Sequence, residues 1–446
     1  MSGLISKFLK AISGEEYQIF QSSLNAVDRE AAIVNAYDLF VKQNELYNIG
    51  TAGTIGFGVG AVPTALMPAG FTAMEGHYDK ASPNYGNAID ASGSVMVAIP
   101  KFYFKIMAPS VNTFLISNIQ YDGYVVHRMF INAGKEISYH FVDKYTCGKV
   151  NGIFTSKFGL DPCSTSVDHN PISALNNTPS NNYGGLYKAV KTRGNDYFLT
   201  LIYTYMGLAM LSKAQGDAGT IATCAFKDVP PYLPKGCNNN ALADTNDSSV
   251  TYAASGYSNC GKTGAITNFA KTTHNGQACG VADLNGNMYE IASGFIRYDA
   301  EGFLTLKESV DIRTIMTDNT AQGSGGAYDK NLYDAVNLID FISATETGSW
   351  QKLGNAENQV FSFSTDRTSN DYKKTMLGIP NLSGSSSSGT TAFGNDGIYR
   401  YKRNEMACLC GLSWDGGSNA GAFAMSLLNA RSSSYSGVGG RASYLV

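Results

Sequence analysis

The stretch 411–446 reads GLSWDGGSNAGAFAMSLLNARSSSYSGVGGRASYLV. One tryptophan is followed by a dense mixture of Gly, Ser, Asn and Ala, then by Arg431, and the chain stops on a short apolar run. A Ser/Tyr/Gly run cannot build a core, so the serines of 432–436 are the best surface candidates. Single aromatics among small polar residues suit adaptable recognition, because rings give rigid contact area and Ser, Gly and Asn give flexible hydrogen bonding. The terminus is poor in acid–base groups and points to a binding surface rather than a reaction centre.

Working outward, the 446-residue chain is 15% charged and 43% apolar, against a usual charged share of about 25%. Gly (48) and Tyr (27) help fill the deficit, a mixture that favours β structure with many turns and long irregular loops. The net charge of −3 comes without a basic stripe or tail, so neither nucleic acid nor an anionic membrane is expected as a partner. The five histidines lack metal-ligand spacing, and no metal or cofactor is expected. The eight cysteines form no C-x2-C pair and permit either disulfides or free buried thiols. Cys408 and Cys410 would share one face of a strand. The N-terminus carries no signal pattern, and the longest apolar run, 198–211, is shorter than the roughly 20 residues needed to span a bilayer.

Residues 2–47 read as helical, with Tyr17, Phe20, Leu24, Val27, Ala31 and Val34 at alternating spacings of three and four. That is a short heptad seam suited to self-association or to packing within a domain. From Asn48 the texture turns to Gly and Pro. Gly56, Gly58 and Gly60 mimic a phosphate-loop spacing, but Pro63 stands where the helix should start; an ordered connector fits better. Strands are expected over 94–106, divided at Pro100, and over 125–131 and 138–145. A buried helix is expected over 196–212, with 187–191 leading into it, and a short element over 265–272. Long polar loops are expected over 163–185, 237–258 and 343–395, and 382–394 has a linker's composition.

Residues 280–294, GVADLNGNMYEIASG, place an Asn-Gly turn between Asp283 and the pair Tyr289–Glu290. Asp283, Asn285 and Asn287 suit the turn, while Met288, Tyr289 and Ile291 are expected to enter the core. This block resembles the D-L-x-G-N-x-x-E signature of the formylglycine-generating-enzyme branch of the C-type lectin fold. The C-terminal Trp-x-Gly-Gly, Asn-Ala-Gly-x-Phe, Asn-x-Arg-Ser and Gly-x-Arg patterns resemble the closing strands of that fold in phage receptor-binding proteins. Some of those are variable proteins of diversity-generating retroelements. The run from Ile55 to Ile106 is similar to the upstream region of phage tail-fibre and tail-tip proteins.

The resemblance implies an α+β chain: an N-terminal helical segment (1–50) for oligomerisation or attachment, a β-rich connector (51–110), and a C-type-lectin-like domain (111–446) with an insertion around 310–400. It implies a non-enzymatic phage tail protein of the virion that binds a host surface receptor, glycan or protein, as a homotrimer alongside other tail proteins. The alternative is a structural tail or decoration component without receptor binding. The copper-binding cysteine pair of the enzymes has no counterpart, since Cys408 and Cys410 flank one residue. The calcium-site patterns of sugar-binding lectins are absent. The expected ligand-binding face comprises Trp414, Ser418, Asn419, Phe423, Ser432, Ser433, Ser434 and Tyr435, although aromatics such as Trp414 and Phe423 are more often core residues than ligand contacts. Asn429 and Arg431 would pin the closing turn, and Arg441 would pair with a carboxylate inside the fold.

Overall fold

The C-terminal strand Ala442–Leu445 lies inside a six-stranded antiparallel sheet rather than at an edge. It pairs with Tyr139–Asp143 on one side and Tyr197–Leu199 on the other. The sheet continues from Tyr139–Asp143 through Val95–Pro100, Asn87–Ile89 and Thr72–Ala73. The continuous apolar run of 95–100 is buried on both faces of the sheet, and Met96 to Ile99 are fully buried. Pro100 ends this strand, and a second one, Tyr103–Met107, follows in a different sheet, because a proline cannot donate to a central ladder.

The computed structural model describes residues 48–107, 113–314, 326–342, 348–354, 360–381, 385–386 and 391–445. The chain divides after Asn48, and the expected helical seam at 17–34 lies outside the described residues. Residues 49–446 form one mixed α+β unit. The Gly/Pro-rich stretch expected as a separate connector over 51–110 belongs to that unit, since its strands join the sheet that holds the C-terminus. The phosphate-loop-like glycines serve this docking. A Cβ on Gly58 would meet His274 Nε2 at 2.8 Å, and Gly58 has φ +81. Gly56 N–H donates to Gln277 Oε1 at 2.7 Å.

The expected helix over 196–212 is displaced. Residues 197–199 form a strand because the ladder to 442–444 claims them, and the helix runs from Ile202 to Ala218. It is buried from Ile202 to Gly216. It has no polar face because it packs on Thr113–Ser117, on Cys408–Cys410 and on the helix Asn370–Met376. The other expected elements shift in similar ways. The 125–131 strand shrinks to Val125–Val126 before a 3₁₀ turn at Arg128–Phe130. The lead-in helix is Gly185–Ala189, and 265–272 is the end of strand Gly261–Ile266 followed by a 3₁₀ turn.

A seven-stranded mixed sheet carries the rest of the C-terminal segment, in the order Ser385–Ser386, Ser349–Leu353, Gly397–Arg400, Met425–Ser426, Cys408–Cys410, Tyr289–Ala292, Val438–Gly439. The 343–395 segment, expected as a loop, therefore supplies strands to this sheet as well as the helix Asn370–Met376. All eight cysteines are free and buried, and Cys408 and Cys410 share the core face of their strand. One buried ion pair, Glu290–Arg441, joins the two sheets, and a second group braces the six-stranded one. Arg441 is bidentate on Glu290, with its Nε donating to Oε2 at 2.7 Å, and Thr146 and Tyr205 hydroxyls complete the carboxylate. Arg193 bridges Asp90 and Asp143, and Asp143 also accepts from Ala442 N–H at 2.7 Å. Among the described residues no helix is long and apolar enough to cross a membrane.

Candidate functional site

Cross-strand register decides what the seven-stranded sheet shows on its outer face. Trp350 lies opposite Tyr399, Tyr399 opposite Ser426, Ser426 opposite Leu409, and Leu409 opposite Ile291. Directly opposed residues share a face, and so do residues two apart on one strand. Tyr289 thus joins the row, opposite Val438. The alternate row, Gln351, Ile398, Met425, Cys410 and Glu290, is buried. The sheet has one core face and one face lined by a tryptophan and two tyrosines.

Loops turn this face into a cavity of about 400 Å³, walled by Trp350, Tyr399, Tyr289, Tyr183 and Tyr435 and by the polar Ser413, Asp415, Ser426, Asn429 and Ser434. Trp350 and Tyr399 meet edge-on, with ring centroids 5.2 Å apart. The closing loop is held mainly through backbone and hydroxyl groups. Tyr183 N–H donates to Ser433 O at 2.9 Å and Gly184 N–H to Arg431 O at 3.0 Å. Thr165 Oγ1 donates to Tyr435 O and accepts from Tyr435 N–H, and Ser434 Oγ donates to Thr165 O at 2.6 Å. The Tyr435 ring is left 42% exposed. It lies over Gly437, where a Cβ would come within 2.8 Å of Cε1, so the ring's seat depends on a missing side chain. Arg431 anchors the loop base, with its guanidinium over the rings of Tyr298 and Tyr328.

The electrostatics suit neutral donors. Burial, helped by the Asp415 carboxylate, pushes the Tyr289 phenol up to about 12. Burial and then Asp415 also raise the Tyr435 phenol. Both hydroxyls stay protonated at neutral pH, beside an exposed carboxylate that Ser413 Oγ bonds at 2.5 Å. An aromatic-lined concavity with a few convergent hydroxyls, an amide and one carboxylate can stack on an apolar ring face while hydrogen-bonding its edge groups.

Of the eight expected face residues, Ser434 and Tyr435 line the cavity. Ser418, Asn419, Ser432 and Ser433 are at least partly exposed but lie outside its lining. Two sit in the interior and do not face a ligand. Trp414 is 6% exposed and packs with Cys237, Val250, Tyr252, Cys260 and Met288. Phe423 is 1% exposed and meets the rings of Phe114, Phe361 and Phe393. Tyr289, expected in the core, lines the cavity. Trp350, Tyr399 and Tyr183 had no place in the sequence reading. The usable signal was small: Trp350 is one of only two tryptophans, and it stands in an alternating run, SWQKL.

Apart from Tyr289, the turn block 280–294 is internal. Asn287 exchanges two hydrogen bonds with the Gly261 backbone, and Asn285 bonds Pro234 O and Asn238. Among the described residues no group of three or more His, Cys, Asp or Glu side chains could hold a metal ion. No protein-family model matches this chain, and no curated protein matches it.

Proposed function

We propose that this protein is a phage virion protein of the tail tip or tail fibre. In this reading it binds the host cell surface through the aromatic cavity of a C-type-lectin-like domain, as a non-enzymatic homotrimer. One observation carries the reading: the C-terminal loop and the outer face of the seven-stranded sheet together present Trp350, Tyr399, Tyr289 and Tyr435 around one concavity. The scaffold beneath is cross-braced by Glu290–Arg441, so the loop side chains can vary without disturbing the core. This is the physical requirement for a surface that follows a changing receptor. The motif likeness of 280–294 and of the C-terminal patterns supports the lectin-like assignment, and Glu290 of the first block pairs with Arg441 of the last. A single face of this size binds weakly, and three copies on one fibre would raise the effective concentration.

The test is competition. Purified protein should block adsorption of the parent phage to its host, and the Tyr435→Ala protein should block it poorly while melting at the same temperature. Equal blocking by both proteins removes the cavity from host recognition. No blocking by either leaves a structural tail component as the better account.

A further inference from the structure

A second cavity, of about 320 Å³, lies between the strand Gly302–Leu306 and the helix Asn370–Met376, away from the aromatic face. Arg128, Lys307, Arg367 and Lys373 line it against only two carboxylates, Glu308 and Asp334. This excess of cations opposes the net charge of the whole chain, which is −3.

The pairing within the cavity is incomplete in a specific way. Arg128 is 3% exposed, yet its guanidinium has only carbonyl partners: Ile131 O at 2.5 Å, Leu306 O at 3.3 Å and Lys307 O at 3.0 Å. Its other flank rests on the Tyr203 ring, 4.8 Å from the centroid. Lys307 Nζ bonds Asn331 O at 2.7 Å, and Lys373 Nζ bonds Ala335 O at 3.4 Å. No carboxylate of the described residues lies within ion-pair distance of these three cations. Arg367 alone is ion-paired, to Glu308 at 3.1 Å and more loosely to Glu136 at 4.0 Å. The second oxygen of Glu308, Oε1, is buried and accepts nothing.

A buried cation without a counter-charge is costly, and so is a buried acceptor without a donor. One molecule that brings an anionic group and a hydroxyl would satisfy both. Leu306 and Met376 give the cavity an apolar wall, and its volume matches one ring-sized compound. We propose that this cavity binds a small hydroxylated organic anion, with its charge on Arg128, Lys307 and Lys373 and a hydroxyl on Glu308. The anion's source is either the carboxylate of an acidic sugar or the phosphate of a phosphorylated polyol.

Calorimetry on the full chain separates these cases, with glucuronate, glycerol 3-phosphate and glucose as titrants. We expect glucuronate or glycerol 3-phosphate to bind at millimolar or lower concentration, and whichever of them binds names the source. Raising the salt should weaken the binding. Neutral glucose should not bind there. The Lys307→Ala/Lys373→Ala protein, altered only at rim side chains, should keep its circular dichroism and lose at least about tenfold in affinity. Tyr435→Ala should bind the anion as the wild type does, so a failure of this site is distinguishable from a failure of the host-binding surface. The proposal is overturned if neither anion produces heat, if glucose competes equally, or if the double variant binds unchanged.

Discussion

Tyr435 is the most exposed ring of the aromatic cavity, and its backbone is fixed on both sides by Thr165. An exposed, pre-positioned tyrosine is the residue type that carries binding energy. Tyr435→Ala is expected to cost about 2 kcal/mol of receptor affinity and to leave the melting temperature unchanged, as read by cell-binding isotherms and calorimetry. Glu290 is the contrasting residue. Its side chain lies on the core face of the sheet, opposite the cavity, and its loss strands the buried Arg441 guanidinium. Glu290→Gln should destabilise the fold by about 3–5 kcal/mol, measured by denaturant unfolding.

Two of the buried carboxyls contribute most plainly to the alkaline limit of stability. Burial pushes Asp396 up to about 8 and Asp283 up to about 7. A carboxyl raised above its unfolded value gives stability that is full below the unfolded range, near pH 4. That stability is lost as pH rises through the folded values. Asp90 acts in the opposite sense. Burial works against it, but the Arg193 guanidinium and the hydrogen bonds of Ser92 and Tyr197 hold its carboxyl below the usual range. Its contribution is lost as pH falls through that lowered value. Melting temperature should therefore peak in mildly acidic solution and fall toward pH 9. Asp396→Asn, which keeps the neutral shape, should flatten the alkaline limb. A flat wild-type profile between pH 6 and 9 would contradict this.

At the level of elements, the closing loop owes its shape to Gly437. A side chain there must displace the Tyr435 ring, because the added Cβ would sit 2.8 Å from Cε1. Gly437→Ala should weaken receptor binding nearly as much as Tyr435→Ala with little change in stability, a comparison that one binding assay makes. Element identity was partly legible in the sequence. The break at Pro100, the burial of the long helix and the same-facing Cys408 and Cys410 all follow from short-range rules. The cavity wall was not legible. Trp350 comes from a stretch that reads as polar loop and Tyr399 from just beyond its end, and no local period announces their cross-strand pairing. Trp414 and Phe423 sit in a segment of surface-like composition, but each fills a core built by residues far away in sequence, Cys237 and Met288 for one and Phe114 and Phe361 for the other. A residue's neighbours in sequence set its propensity, and its register in the sheet sets its face.

For the whole molecule, the last strand is structural as well as terminal. Ala442–Leu445 pairs on both sides and Arg441 just before it carries the buried ion pair. Deleting residues 441–446 should abolish cooperative unfolding, as seen by thermal melting, whereas altering the 432–436 loop should not. A platform of this kind separates the part that must stay constant from the part that can change. The central claim is that the aromatic concavity is what touches the host cell. Its most direct measurement is the binding of labelled full-length protein to host cells, comparing wild type with Trp350→Ala and with the exposed-face control Ser418→Ala. The account predicts at least about a tenfold loss for Trp350→Ala and none for Ser418→Ala, with all three proteins folded. Wild-type affinity in a folded Trp350→Ala protein would contradict it.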